Sequence, residues 1–394
     1  MTNNSFAPVR DNIGIAVDGG GVKGAIVAHG LIELEDQLGT RPLINDPRVK
    51  VIAGTSTGAV IAASLAIGMT GQEILDLYEQ LGQHVFSKAG RFRPFGATIP
   101  LLSRLHLPIG LVHFLDKLPL DIGEFFLYML LPARYSFDPL REVMLKQLAK
   151  HPAPNTHPTM RELGQYLNGK SHQPRIVITA VEVAARQTRF IKSTSNDEFA
   201  DMKLVEAVLA SSCIPTFWDP IPVPTGDGKR FLVDGGVGNF GNPAEVVARE
   251  LMHPYADQQV DPNNVTLFSF GTGYLPEDAY RKAANPVTKW WALDWATRSA
   301  DLFINDALRD ASRDVVAQYP GLDFRRFQTT LEKQVAADNF NEISGILKTL
   351  GLHLRERIRL NQHALSAPPG NPFDPEGIQD VNTWATVRAS GVAQ

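Results

Sequence analysis

The chain has 394 residues, 44% hydrophobic and 20% charged, a balance that supports one large buried core or two ordinary domains. A formal net charge of -4 gives no global basic field, which argues against a nucleic-acid polymer as partner. The single cysteine, Cys213, excludes an intramolecular disulfide and a cysteine-built metal cluster.

Met1 to Asn12 is polar and lacks an apolar signal core, and no run of about 18 apolar residues follows it. The expectation is a cytoplasmic protein without a membrane span. Ile13 to Val17 reads as a short buried strand that ends at Asp18 and Gly19-Gly20-Gly21. Ile26, Leu31, Leu34 and Leu38 then mark a helix over Ala25 to Leu38. Val49 to Ala53 is a second strand, followed by Gly54-Thr55-Ser56-Thr57-Gly58 and an apolar helix-forming run, Ala59 to Leu65. Two successive strand–turn–helix units argue for a parallel sheet in an α/β layered fold. Helices are predicted over Gln72 to Leu81, Pro139 to Lys150, Met202 to Ser211 and Asn242 to Leu251. Strands are predicted over Arg175 to Val183, Thr188 to Ser193, Arg230 to Val233 and Val265 to Phe270.

Between Arg91 and Tyr135 the prolines at 94, 100, 108, 119 and 132 cut apolar clusters into pieces too short to span a bilayer. The densest cluster is Phe125-Phe126-Leu127-Tyr128-Met129-Leu130-Leu131. This insertion is a candidate acyl-binding or membrane-facing element, with ordinary core packing as the alternative. After about Pro276 a helical tail begins, opened by Trp290, Trp291 and Trp295. The expected organisation is a catalytic domain over 1–280, with the insertion at about 91–135, and a helical C-terminal extension over 281–394 packed on it.

The chemistry lies in the glycine-rich turns. Ser56 sits in a G-x-S-x-G pattern between a strand and a helix, the context of a nucleophile elbow. A serine hydroxyl needs a base to take its proton and donors aimed at the oxyanion. Gly19, Gly20 and Gly21, at a strand end before a helix, can supply backbone N–H donors. Gly19, Gly21 and Gly24 also match the dinucleotide pattern G-x-G-x-x-G, but Glu33 and Glu35 come too early for the ribose acid. A Walker loop fails because Gly24, not Ser or Thr, follows Lys23. For the base, Asp234 stands between a strand and Gly235-Gly236, although Asp-Gly is also a common turn signal. His253, His353 and His363 follow it, so a Ser-His-Asp triad of a soluble carboxylesterase stays open, as does a non-enzymatic nucleotide-binding module.

Three motifs together resemble the patatin-like phospholipases, or lipid acyl hydrolases: Asp18 to Gly24, Gly54 to Gly58, and Asp234 to Gly236. Ala210 to Phe217, Asn242-Pro243 and Phe268 to Gly273 also look familial, so the resemblance runs from about Ile13 to Gly273. Lys23 stands where Arg is more usual, keeping the charge but not the fork geometry. The resemblance implies a three-layer α/β/α fold with a central, mostly parallel sheet. It implies a Ser–Asp dyad of Ser56 as nucleophile and Asp234 as base, with an oxyanion hole at Gly19, Gly20 and Gly21. Asp18, Lys23, Gly24, Gly54, Gly58, Gly235 and Gly236 support that site. It further implies a phospholipase A-type reaction through an acyl-enzyme, with no metal and no cofactor, at the surface of membrane phospholipid. Some bacterial members of the family are switched on by cyclic nucleotides, so such an activator is compatible with the resemblance, although no residue here specifies one. The sequence leaves a homo-oligomer open.

Overall fold

The structure is a computed structural model and describes residues 6–88, 136–151, 154–194, 196–215, 217–225, 228–253, 259–276, 307–335, 337 and 339–380. The apolar cluster at 125–131, the rest of the 91–135 insertion and the tryptophans at 290, 291 and 295 lie outside the described residues.

Eight strands form one sheet: β1 (Asn12–Val17), β2 (Val49–Thr55), β3 (Arg175–Glu182), β4 (Gln187–Lys192), β5 (Ile221–Thr225), β6 (Gly228–Asp234), β7 (Val265–Phe270) and β8 (Asp323–Phe327). Their order is β5-β6-β3-β2-β1-β7-β8, with β4 also pairing with β3. The run β3-β2-β1-β7-β8 is parallel throughout, whereas β4 and β6 run antiparallel to β3, and β5 to β6.

The central strands are near-continuous apolar runs because both faces are covered, as parallel sheets require. Alternation assigns the faces: Ile13, Ile15 and Val17 of β1 join one core, and Ala16 joins the other. The first core is built with α1 (Gly24–Leu38), α2 (Thr57–Ala66), α3 (Gly71–Lys88), α4 (Asp138–Leu148), α5 (Met160–Asn168) and α6 (Leu204–Ser211). The second is covered by α7 (Ala244–Met252), through Val246, Val247 and Leu251, and by Val315 of a helix over 307–318, here α8. The chain is thus a three-layer α/β/α sandwich.

The segment after residue 280, expected as a helical extension, differs in one respect. It contains α8 and α9 (Lys348–Arg359), but it also supplies β8, which pairs with β7 from Thr266↔Asp323 to Phe270↔Phe327. α9 packs on α1 and contributes Leu350, Leu354 and Ile358 to the first core.

Candidate active site

The carboxyl ends of β1 and β2 carry the glycine loop and the serine turn side by side, where open α/β sheets bind ligands. β6 arrives from the opposite direction, yet Asp234 stops at the same level. Thr179 of β3 pairs with Thr55, and Ala180 pairs with Asp234. Adjacent residues of β3 therefore set the heights of both the serine turn and the aspartate.

Ser56 has φ 55° and ψ -120°, a sterically costly backbone for a residue with a side chain. The turn is so tight that a Cβ on Gly54 would run into the Gly58 carbonyl, and one on Gly58 into the Val17 carbonyl. This is the physical content of the two glycines in the motif. α6 holds the strained peptide from the side. Ser56 N–H donates to Ser211 Oγ at 2.9 Å, and Ser212 Oγ donates to the Ser56 carbonyl at 3.2 Å. The sequence pointed to this block only by likeness and gave neither serine a role.

The glycine loop is pinned at several points. Asp18 N–H donates to the Phe270 carbonyl, and Thr272 Oγ donates to the Gly19 carbonyl at 2.8 Å. Val22 N–H donates to the Ala337 carbonyl at 2.8 Å. Gly21 has φ 61°, and a Cβ there would collide with Ala337. One expectation needs correction: Gly19 N–H is given to the Gly241 carbonyl at 2.9 Å, so it is not available to an incoming oxyanion. Among the described residues, the Gly20 and Gly21 N–H groups have no backbone acceptor, which leaves those two as the candidate donors. Lys23 ends the short turn Gly21–Lys23 and favours ionised Asp18, and Gly24 opens α1.

Asp234 is 3% exposed. Its Oδ1 accepts the Gly236 N–H at 2.7 Å, within the short turn Gly235–Val237, while Oδ2 is buried without a hydrogen-bond partner. Burial pushes the carboxyl up to about 6, against the Ser56 hydroxyl and the Gly236 N–H, which both lower it. The Ser56 hydroxyl is thus in reach of the carboxylate without completing a hydrogen bond of full geometry, as is common before substrate binds.

A pocket partly open to solvent begins at Ser56. Val60, Tyr78, Leu140, Ile214, Trp218 and Phe340 make its walls apolar, and no histidine is among its described lining residues. The end of α7 that carries His253 lies beside Arg175, since Arg175 Nη2 donates to the Glu250 carbonyl at 2.7 Å. Arg175 begins β3, at the far end of that strand from Thr179 and Ala180. His363 is buried edge-on against Phe327 and is pushed down to about 4 by burial, and His353 is exposed on α9. The structure brings Ser56 and Asp234 together and none of these histidines to them. Among the described residues, no cluster of metal-ligating side chains stands at the site.

The family model for patatin-like phospholipase matches residues 15–248, more than half of the chain. The chain is 24% identical over 370 residues to patatin-like protein 1 of Arabidopsis thaliana, covering 87% of this chain and 78% of that one. It is 24% identical over 319 residues to patatin-1-Kuras 2 of Solanum tuberosum, covering 75% and 71%. Among solved structures, VipD from Legionella pneumophila aligns at 12% identity with a TM-score of 0.39, covering 97% of this chain and 75% of VipD.

Proposed function

This chain belongs to the patatin-like phospholipase family, hydrolases that act on lipid esters, and we propose that it is a phospholipase A-type acyl hydrolase working through a Ser56–Asp234 dyad. One observation carries the reading. Asp234 keeps a buried carboxylate oxygen without a partner next to the hydroxyl of a serine held in a strained elbow.

The steps follow from the geometry. Asp234 takes the Ser56 proton as Oγ attacks the acyl carbonyl carbon, and the charge that develops on the carbonyl oxygen is met by the Gly20 and Gly21 N–H groups. Collapse breaks the ester bond, and the proton on Asp234 leaves with the lysolipid alcohol. A water then gives a proton to Asp234 and attacks the acyl-serine, which releases the fatty acid and restores Ser56. A carboxylate at its ordinary pKa of about 3.9 is a weak base for this work. Burial strengthens it, and contact with the serine makes the transfer direct. The apolar walls beside Ser56 suit an acyl chain.

Membrane glycerolipid is the substrate class on this reading. No described helix is long and apolar enough to cross a membrane, and peripheral contact with lipid is part of the proposal. Ser56→Ala and Asp234→Asn are each expected to reduce fatty-acid release from phospholipid vesicles to background, with far-UV circular dichroism unchanged. Full activity in either folded variant refutes the dyad. Loss of activity in His253→Ala would instead favour a triad.

A further inference from the structure

Directly behind the glycine loop the chain buries a complete ionic cluster. Arg326, on β8, is wholly enclosed. Its Nη1 and Nη2 donate to Asp18 Oδ1 and Oδ2 at 2.8 and 2.6 Å. Its Nε and Nη2 donate to Glu376 Oε2 and Oε1 at 2.9 and 2.8 Å, and Nη1 also reaches Ser269 Oγ at 2.9 Å. A guanidinium has five N–H donors, and here every one has an acceptor. Gln328 Nε2 steadies Glu376 from the other side at 2.8 Å.

A buried cluster of this kind is a poor source of stability. Well-packed apolar residues of similar volume commonly do as well or better, because removing charges from water is costly. Its position points elsewhere. Asp18 immediately precedes Gly19-Gly20-Gly21, and its carboxylate is gripped by a fork from the edge strand. Arg326, Gln328 and Glu376 all lie outside the 15–248 match. We propose that Arg326 is a positioning residue: held by Glu376, it fixes the Asp18 carboxylate and so aims the Gly20 and Gly21 N–H groups at the acyl oxyanion. This rests on the reading of Ser56 as an acyl-transfer nucleophile with that loop as its oxyanion site. Burial pushes the Asp18 carboxyl up to about 6 against the pull of Arg326, so the pairing is what favours its ionised, fork-binding form at neutral pH. Glu376 is also buried, but Arg326, with Gln328, holds it below the usual carboxylate range.

The test uses the full chain, a fluorophosphonate probe and a soluble p-nitrophenyl ester. Labelling of the wild type that is lost in Ser56→Ala establishes the nucleophile. Absence of such labelling refutes the underlying reading and is distinguishable from failure of the positioning role. Arg326→Lys keeps the charge but loses the fork. It is expected to lower kcat about 100-fold with KM within about twofold, and to slow labelling in proportion. Glu376→Gln, nearly isosteric, is expected to lower kcat about 10-fold with the same split. Either variant with unchanged kcat and a normal melt overturns the proposal. So does a Glu376→Gln that fails to fold, since the cluster would then be structural.

Discussion

Asp234 puts activity and stability in opposition. As the proposed base it must be ionised, so kcat/KM is expected to rise with pH through about 6 and to level above it, which a pH profile on a soluble ester measures. The linkage has the opposite sign. A carboxyl whose folded pKa is raised holds its proton longer when folded than when unfolded, so folding stability falls as pH climbs from about 4 to about 6 and stays lowered above. Asp234→Asn removes that penalty, on the order of 3 kcal/mol at neutral pH. The inactive variant is expected to melt several degrees higher than wild type near pH 8, with the gain fading near pH 4. An unchanged melting temperature at both values would falsify the claim that burial is what tunes this acid. Asp234 stood out only through the family resemblance, since Asp-Gly is also a common turn signal, whereas Ser56 was legible as an elbow serine because that turn needs particular glycines at particular offsets. The spent Gly19 N–H was not, since its acceptor is a carbonyl more than two hundred residues away, and carbonyls carry no sequence signature.

At the scale of elements, the elbow is braced from outside. α6 ends at Ser211 with Ser212 as its cap, and their hydroxyls occupy the N–H and the carbonyl of the strained Ser56 residue. Ser211→Ala leaves a buried N–H without a partner, which costs about 1–3 kcal/mol. Urea unfolding is expected to show that loss, together with a lower kcat as Ser56, the proposed nucleophile, drifts. A variant of wild-type stability would mean that water replaces the hydroxyl. The strands β1, β2, β3 and β7 were readable as apolar runs because both of their faces are buried. β5 escaped notice because it reads Ile-Pro-Val-Pro-Thr. Prolines are tolerated there only because the strand forms the sheet edge. α5 did carry a signal that went unread: Thr159 and Glu162 form a capping box at its start. β8 hid behind Asp-Phe-Arg-Arg-Phe, whose two arginines suggest a solvated strand but are both buried and ion-paired.

The whole molecule is closed by its last third. The boundary expected near residue 280 falls between β7 and β8, two neighbouring strands of one sheet. Phe327 of β8 stacks on Phe268 and Phe270 of β7 at centroid distances of 6.4 and 5.9 Å. The same segment lays Leu354 and Ile358 of α9 against Gly30 of α1, lines the pocket beside Ser56 with Ala337 and Phe340, and pairs Asp18 with Arg326. A chain ending at Pro276 keeps every motif that marks the family, yet it strips the cover from β7 and opens a row of unpaired backbone groups. It also removes Arg326 from Asp18, a type of loss that typically costs 3–5 kcal/mol where the remaining charge stays buried. That fragment is therefore expected to aggregate on expression, or to melt without a cooperative transition, and to release no fatty acid. The measurement is size-exclusion chromatography with differential scanning calorimetry. A monomeric fragment with a single sharp transition would instead make 277–394 a separable appendage. The likeness over 15–248 would then mark a unit that folds alone rather than the six strands of a sheet that the rest of the chain completes.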